Sequence, residues 1–183
     1  MKRELKTFQI FRAGSHVAMN GQKVSFDEHD LMRTAVAYKT NLWRAPLVLG
    51  HPKSDGPSHG HVVGLYVEGD GLYAQAEVDD ELIELVRAGR YTNRSASFYQ
   101  PDMKSNPSPG VFYLRHVGFL GAMPPGVKGM PDLEFSEHNP LVANINSRFY
   151  CYGEAESIRP TNPLLADAEA RNIRHRNPTA SNF

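Results

Sequence analysis

The sequence predicts a β-rich α+β fold, and three observations carry that expectation. Short segments of alternating apolar residues recur from residue 7 to residue 120, and Gly, Asn and Pro turn signals punctuate them. Only two helical patterns interrupt the series, without the regular strand-helix alternation of a doubly wound sheet. A mostly antiparallel barrel or sandwich satisfies such a pattern.

In chain order, residues 7–12 and 22–26 read as strands joined through Asn20-Gly21, a pair that supplies the positive backbone angles of a tight hairpin. Asp27 is placed to cap a helix whose apolar stripe is Leu31, Met32, Ala35, Val36 and Tyr38. Leu47-Val48-Leu49 is a short apolar run that ends at Gly50-His51-Pro52, so His51 stands at a strand end before a loop rich in Gly, Pro, Ser and Asp. Residues 61–67 and 72–78 form two strands around the hairpin turn Glu68-Gly69-Asp70-Gly71. Asp79 or Asp80 caps a helix carrying Leu82, Ile83, Leu85 and Val86, and Gly89 ends it. Residues 90–99 and 111–120 are the last strands.

At 183 residues the chain suffices for one core and a tail, with the compact domain at 1–135. Residues 136–183 read as a tail or the start of a longer partner region, with one short helix begun by Asn162-Pro163.

Twenty basic and twenty acidic side chains cancel, so nothing in the overall charge favours nucleic acid or an anionic membrane as a partner. The single cysteine, Cys151, cannot form an internal disulfide, which suits a reducing cytoplasm. The N-terminal residues alternate instead of forming an apolar signal core, and no run approaches the roughly 20 apolar residues of a membrane span. A soluble protein that is not exported is expected.

Three segments hold the candidates for chemistry: Gly50-His51-Pro52, the strand with Ser95 and Ser97, and the strand Leu114-Arg115-His116-Val117-Gly118. A serine hydroxyl becomes a useful nucleophile only when a base within hydrogen-bond reach takes its proton, and a third group must orient that base. Alternation places Ser95 and Ser97 on one face of their strand and cannot choose between them. It also groups His116 with two leucines and Gly118, the setting of a buried, oriented imidazole, and turns Arg94 and Arg115 away from Ser95 and His116. The bland alternatives are a solvated strand serine and a satisfied core histidine. A metal reading competes, through His51, Asp55, His59 and His61 in one Gly/Pro-rich loop. The remaining Gly-rich pieces match neither a dinucleotide fingerprint nor a phosphate loop and read as turns.

Taken together, Leu47-Val48-Leu49-Gly50-His51-Pro52, Gly64 through Ala74 with its Val67-Glu68-Gly69-Asp70-Gly71-Leu72 hairpin, Leu85 through Tyr91, and Ser95-Ala96-Ser97-Phe98 resemble the Mu-like phage prohead protease family over roughly residues 5–130. The resemblance favours Ser95 over Ser97, since the family shows a Ser-x-x-Phe element at that place. That family looks related to the tailed-phage and herpesvirus capsid maturation proteases, which implies a small antiparallel β-barrel flanked by helices. The implied activity is a serine endopeptidase, with no cofactor, that cleaves scaffold, capsid-protein extensions and itself during prohead maturation. Ser95 is then the nucleophile, His51 the base, and His116 the third member, similar to the Ser-His-His arrangement of the herpesvirus enzymes. The implied partners are the scaffold and major capsid protein and further copies of this chain, in the host cytoplasm inside the prohead. Residues 136–183 would be a tail or the start of a scaffold region. Two rivals stay open: a non-enzymatic capsid scaffold or assembly protein on the same fold, and a metal hydrolase using the His51–His61 loop.

Overall fold

The computed structural model describes residues 2–17, 21, 23–52 and 56–135. The chain divides into units at 1–149 and 150–183, and all of the described residues belong to the first. The expected tail, including the helix begun by Asn162-Pro163, lies outside the described residues.

Among the described residues, eight strands and two helices follow one another as β1 (Arg3–Arg12), β2 (Gly14–Val17), β3 (Lys23–Phe26), α1 (Glu28–Ala37), β4 (Leu47–Leu49), β5 (Gly60–Glu68), β6 (Gly71–Asp79), α2 (Asp80–Arg87), β7 (Asn93–Tyr99) and β8 (Tyr113–Leu120). The fold is thus β-rich with few helices, as the turn spacing predicts. Among the described residues no helix is long and apolar enough to cross a membrane.

The strands form three sheets, ordered β1-β6-β5, β2-β3 and β4-β8-β7. The expected closed antiparallel barrel is therefore corrected in two respects. First, β4 runs parallel to β8, which the long excursion through β5, β6, α2 and β7 permits. Second, among the described residues no strand ladder joins β7 to β1. A buried Arg94 stands at that seam: its Nε donates to the carbonyl of Gln9 and its Nη1 to the carbonyl of Pro131. Burial lowers its pKa to about 10, so the guanidinium stays charged at neutral pH. On the opposite side the sheets meet through main chain, with Val62 N donating to Ala45 O and His59 N to Leu47 O, both at 2.9 Å.

The opening hairpin is also re-assigned. Of the expected 22–26 strand, β3 pairs with β2, not with residues 7–12, and β1 spends its ladder on β6. A bulge between Gln9 and Phe11 breaks the alternation of β1 and lets Phe8, Ile10 and Phe11 all be buried. In β6 the alternation holds: Leu72, Ala74, Ala76 and Val78 are fully buried.

Asp27 caps α1 in a reciprocal capping box with Asp30, whose main-chain N–H donates to Asp27 Oδ1 at 2.7 Å. The expected stripe is narrower than predicted, because Leu31, Thr34 and Tyr38 face inward while Met32 and Val36 are exposed. The Tyr38 hydroxyl donates to Val62 O and accepts from Ala45 N, which fixes the connection into β4. Asp79, not Asp80, caps α2, and Gly89 leaves it at φ +70°.

Within the β4-β8-β7 sheet, Gly118 lies in the central strand, opposite Val48 on one side and Ser95 on the other. A Cβ there would stand 2.2 Å from the carbonyl oxygen of Gly50, a backbone atom that cannot rotate aside. We expect Gly118→Ala to lower stability by roughly 1–3 kcal/mol, the usual range for overpacking. An unchanged urea midpoint would show that this close approach does not constrain the fold.

Candidate active site

Beyond the end of β4 the chain must turn back over the sheet for His51 to reach anything on β8. Gly50 makes that turn at φ +67°, a left-handed conformation that glycine adopts without strain, while its N–H donates to Phe119 O at 2.8 Å. His51 then lies across Gly118, with the Gly118 Cβ position 3.2 Å from His51 Cε1. Its Nδ1 comes within 2.8 Å of His116 Nε2, one hydrogen bond between two imidazoles.

The register places the serines relative to this pair. Ser95 is opposite Gly118, the residue beneath the His51 ring, whereas Ser97 is opposite His116 itself. Ser95, Ser97, His51 and His116 all line one cleft of about 460 Å³. The fold thus assembles every residue that the sequence singles out for a nucleophile, a base and an orienting group. No hydrogen bond joins Ser95 Oγ to His51 among the described residues; catalytic contacts of this kind often tighten only when substrate binds.

Both imidazoles are about half buried and both are driven toward the neutral form. Burial lowers the pKa of His51 below the ordinary 6.5. Burial first, then the neighbouring His51 and Arg115, bring His116 down to about 4. At neutral pH the pair holds neutral rings, the state in which an imidazole can accept a proton.

Sequence reasoning missed two features of the cleft. Strict alternation would turn both arginines away, and Arg94 does turn away. For Arg115 it fails, because a register shift after Ser97 leaves Arg115 without a cross-strand partner, and this residue lines the cleft with its guanidinium 5.7 Å from the Tyr99 ring. The second feature is the far wall, supplied by the β2-β3 hairpin and by Phe11, Phe26, Phe98 and Phe112. Phe26 meets Phe112 at 4.1 Å and Phe11 at 4.6 Å between ring centroids. His16 on this wall is held by a 2.9 Å hydrogen bond from its Nε2 to the carbonyl of Arg12. No local motif marks these contacts, since the residues come from four distant segments.

The loop metal reading is not supported by this geometry. His51 turns to His116, His59 is buried against Asp79 and Glu81, and His61 pairs into β5 beside Glu77. The three histidines thus occupy separate surroundings, and Asp55 lies outside the described residues.

No protein-family model matches the chain, and no curated protein matches it in sequence. Among solved structures it is similar to the Kaposi's sarcoma-associated herpesvirus protease in complex with allosteric inhibitors. One such structure shares 14% identity at a TM-score of 0.48, over 98% of this chain and 96% of that one. A second shares 16% identity at 0.47, over 98% and 97%. The same viral protease in complex with a dimer disruptor gives 16% identity at 0.46, over 98% and 96%.

Proposed function

We propose that this chain is a serine endopeptidase in which Ser95 attacks the scissile carbonyl, His51 is the general base and acid, and His116 orients His51. The observation that carries the reading is the His51–His116 hydrogen bond set over Gly118, directly across the strand from Ser95. When His51 Nδ1–H donates to His116 Nε2, the remaining lone pair on His51 Nε2 is free for the serine proton.

The chemistry follows from that tautomer. Ser95 Oγ forms a bond to the substrate carbonyl carbon as its proton passes to His51 Nε2, giving a tetrahedral oxyanion and an imidazolium. The imidazolium keeps its Nδ1–H on His116, which holds the ring in place. Collapse breaks the C–N bond, and His51 returns the proton to the leaving amine. A water, deprotonated by the same ring, then hydrolyses the ester on Ser95. A neutral imidazole stabilises the imidazolium less than a buried carboxylate does, so turnover is modest. The aromatic wall gives the cleft an apolar surface for substrate side chains, which suits a peptide substrate.

The biological setting we propose comes from the sequence resemblance: cleavage of scaffold, capsid-protein extensions and further copies of the chain itself during phage prohead maturation. Confinement within a closed shell raises the effective substrate concentration and makes slow turnover adequate. The rival is a non-enzymatic assembly protein on the same fold, favoured by the open Ser95–His51 contact.

Mass spectrometry of a scaffold or capsid-precursor digest separates the two. We expect Ser95→Ala to reduce cleavage by about 10³-fold or more, with Ser97→Ala close to the unaltered chain. Equal cleavage by all three chains would reject Ser95 as nucleophile, and no cleavage by any would favour the assembly protein. His116→Ala should cost less, at most about 10²-fold, because His116 acts through His51; a loss equal to that of Ser95→Ala would contradict an orienting role.

The pH dependence has a definite sign. His51 must be neutral to act, and burial holds it below 6.5, so kcat/KM should fall with acid along a limb whose midpoint lies below 6.5. Because both rings are harder to protonate in the fold than in the unfolded chain, the stability they contribute is complete above 6.5 and is lost as pH falls toward about 4. Activity midpoints above 6.5, or a urea midpoint that rises on acidification through this range, would contradict the neutral pair.

A further inference from the structure

Outside the serine cleft, His59, Asp79 and Glu81 converge where β5 begins and α2 starts. From this cluster we propose a zinc site, with His59 Nδ1, Asp79 Oδ2 and Glu81 Oε2 as three ligands of a tetrahedral Zn²⁺ whose fourth position is open to water. None of the three residues lines the Ser95 cleft, so the proposal stands independently of the protease reading.

His59 is a buried member of the cluster. Its side chain is only 7% exposed, and among the described residues its buried Nδ1 has no hydrogen-bond partner. A buried ring nitrogen left unpaired is costly, and natural structures rarely tolerate it without a ligand or water. Asp79 Oδ2 lies 3.3 Å away without completing a hydrogen bond to it, and Glu81 Oε2 lies 3.8 Å away.

The spacing of the three side chains suits zinc. Zinc bonds of about 2.0–2.1 Å to nitrogen and oxygen put tetrahedral ligand atoms roughly 3.3 Å apart. His59 Nδ1 and Asp79 Oδ2 are separated by 3.3 Å, and His59 Nδ1 and Glu81 Oε2 by 3.8 Å. One ligand atom from each of the three residues lies within 4.8 Å of the others. Glu81 is mostly exposed, so its long side chain can move to close the remaining gap. Asp79 is already fixed, since its Oδ1 accepts from Leu82 N at 2.9 Å and leaves Oδ2 for the metal. Two carboxylates offset the zinc charge. An imidazole with only three protein donors selects zinc over calcium, which takes six to eight oxygens.

The site has a place in the architecture. His59 N donates to Leu47 O and Asp79 N to His59 O, both at 2.9 Å, so His59 links β4, which leads into His51, to the start of α2. A bound ion clamps the far end of the 50–59 connection.

The test is titration of the full chain with Zn²⁺ alone, in competition with a chromophoric chelator, for the unaltered chain, His59→Ala, Glu81→Gln and His116→Ala. We expect one ion per chain, binding weakened at least about tenfold in Glu81→Gln and more in His59→Ala, and little change in His116→Ala. Zinc should raise the Tm of the unaltered chain and much less that of Glu81→Gln. The exposed Glu81 keeps the test valid if His59→Ala does not fold. Absence of stoichiometric binding, or binding that survives the Glu81 change undiminished, overturns the proposal. Binding lost only in His116→Ala overturns it too, by assigning the metal to the His51–His116 pair.

Discussion

The contact between the Gly50 carbonyl and Gly118 is the constraint on which the site depends. β4 is only three residues long and parallel to β8, so the chain leaving it would continue along the sheet unless something turned it. A left-handed glycine turns it, and a residue without a Cβ receives it. A side chain at Gly118 would strike the Gly50 carbonyl and crowd the His51 ring, and one at Gly50, though it meets no neighbour, would be strained at φ +67°. One steric allowance thus converts two histidines 65 positions apart into a hydrogen-bonded pair.

The rest of the fold holds that sheet in position. The connection into β4 is fixed by the Tyr38 and Tyr113 hydroxyls, each bonded to main chain on both its donor and acceptor sides. At the other edge, Arg94 supplies by side chain what a strand ladder would supply by backbone, and β7 stays beside β1 without a closed barrel. A charged group with this much burial is retained because carbonyls accept its N–H groups; without them the desolvation cost would be prohibitive.

Burial also sets the chemistry. Desolvation keeps both imidazoles neutral, so the pair is able to accept a proton, while the second ring offers a lone pair and no negative charge. An orienting carboxylate would give a stronger base and a larger desolvation cost in the same half-buried place. A His-His pair trades base strength for a group that is tolerated there. The register shift next to His116 adds Arg115 to the same cleft, placing a cation beside the rings and lowering His116 further.

Local rules made much of this legible in the sequence. Asp27 as a cap, a second cap at Asp79 or Asp80, Gly89 as a helix end, the Gly69-Asp70 hairpin and the strand-end position of His51 follow from short-range backbone preferences, and the structure has them where those preferences put them, with Asp79 taking the second cap. The grouping of His116 with Gly118 follows from period-two alternation. Features that depend on non-local partners stayed open in the sequence. The 22–26 strand took β2 instead of residues 7–12, β4 ran parallel, and the barrel stayed open at Arg94, because pairing is decided by which edges packing brings together and not by the strand's own pattern. Bulges at Ile10 and Arg115 reset the alternation that side-chain direction was read from, so Arg115 faces the cleft. The sequence groups His59 with its loop neighbours and Asp79 with its helix, and the two meet Glu81 only because a strand start and a helix start come together. The sequence by itself determined most of the elements and the caps and turns that end them, since these are settled within a few residues of chain, but not β2 or the first residues of β1; tertiary structure decided the pairings and the clusters, since those depend on contacts between segments tens of residues apart.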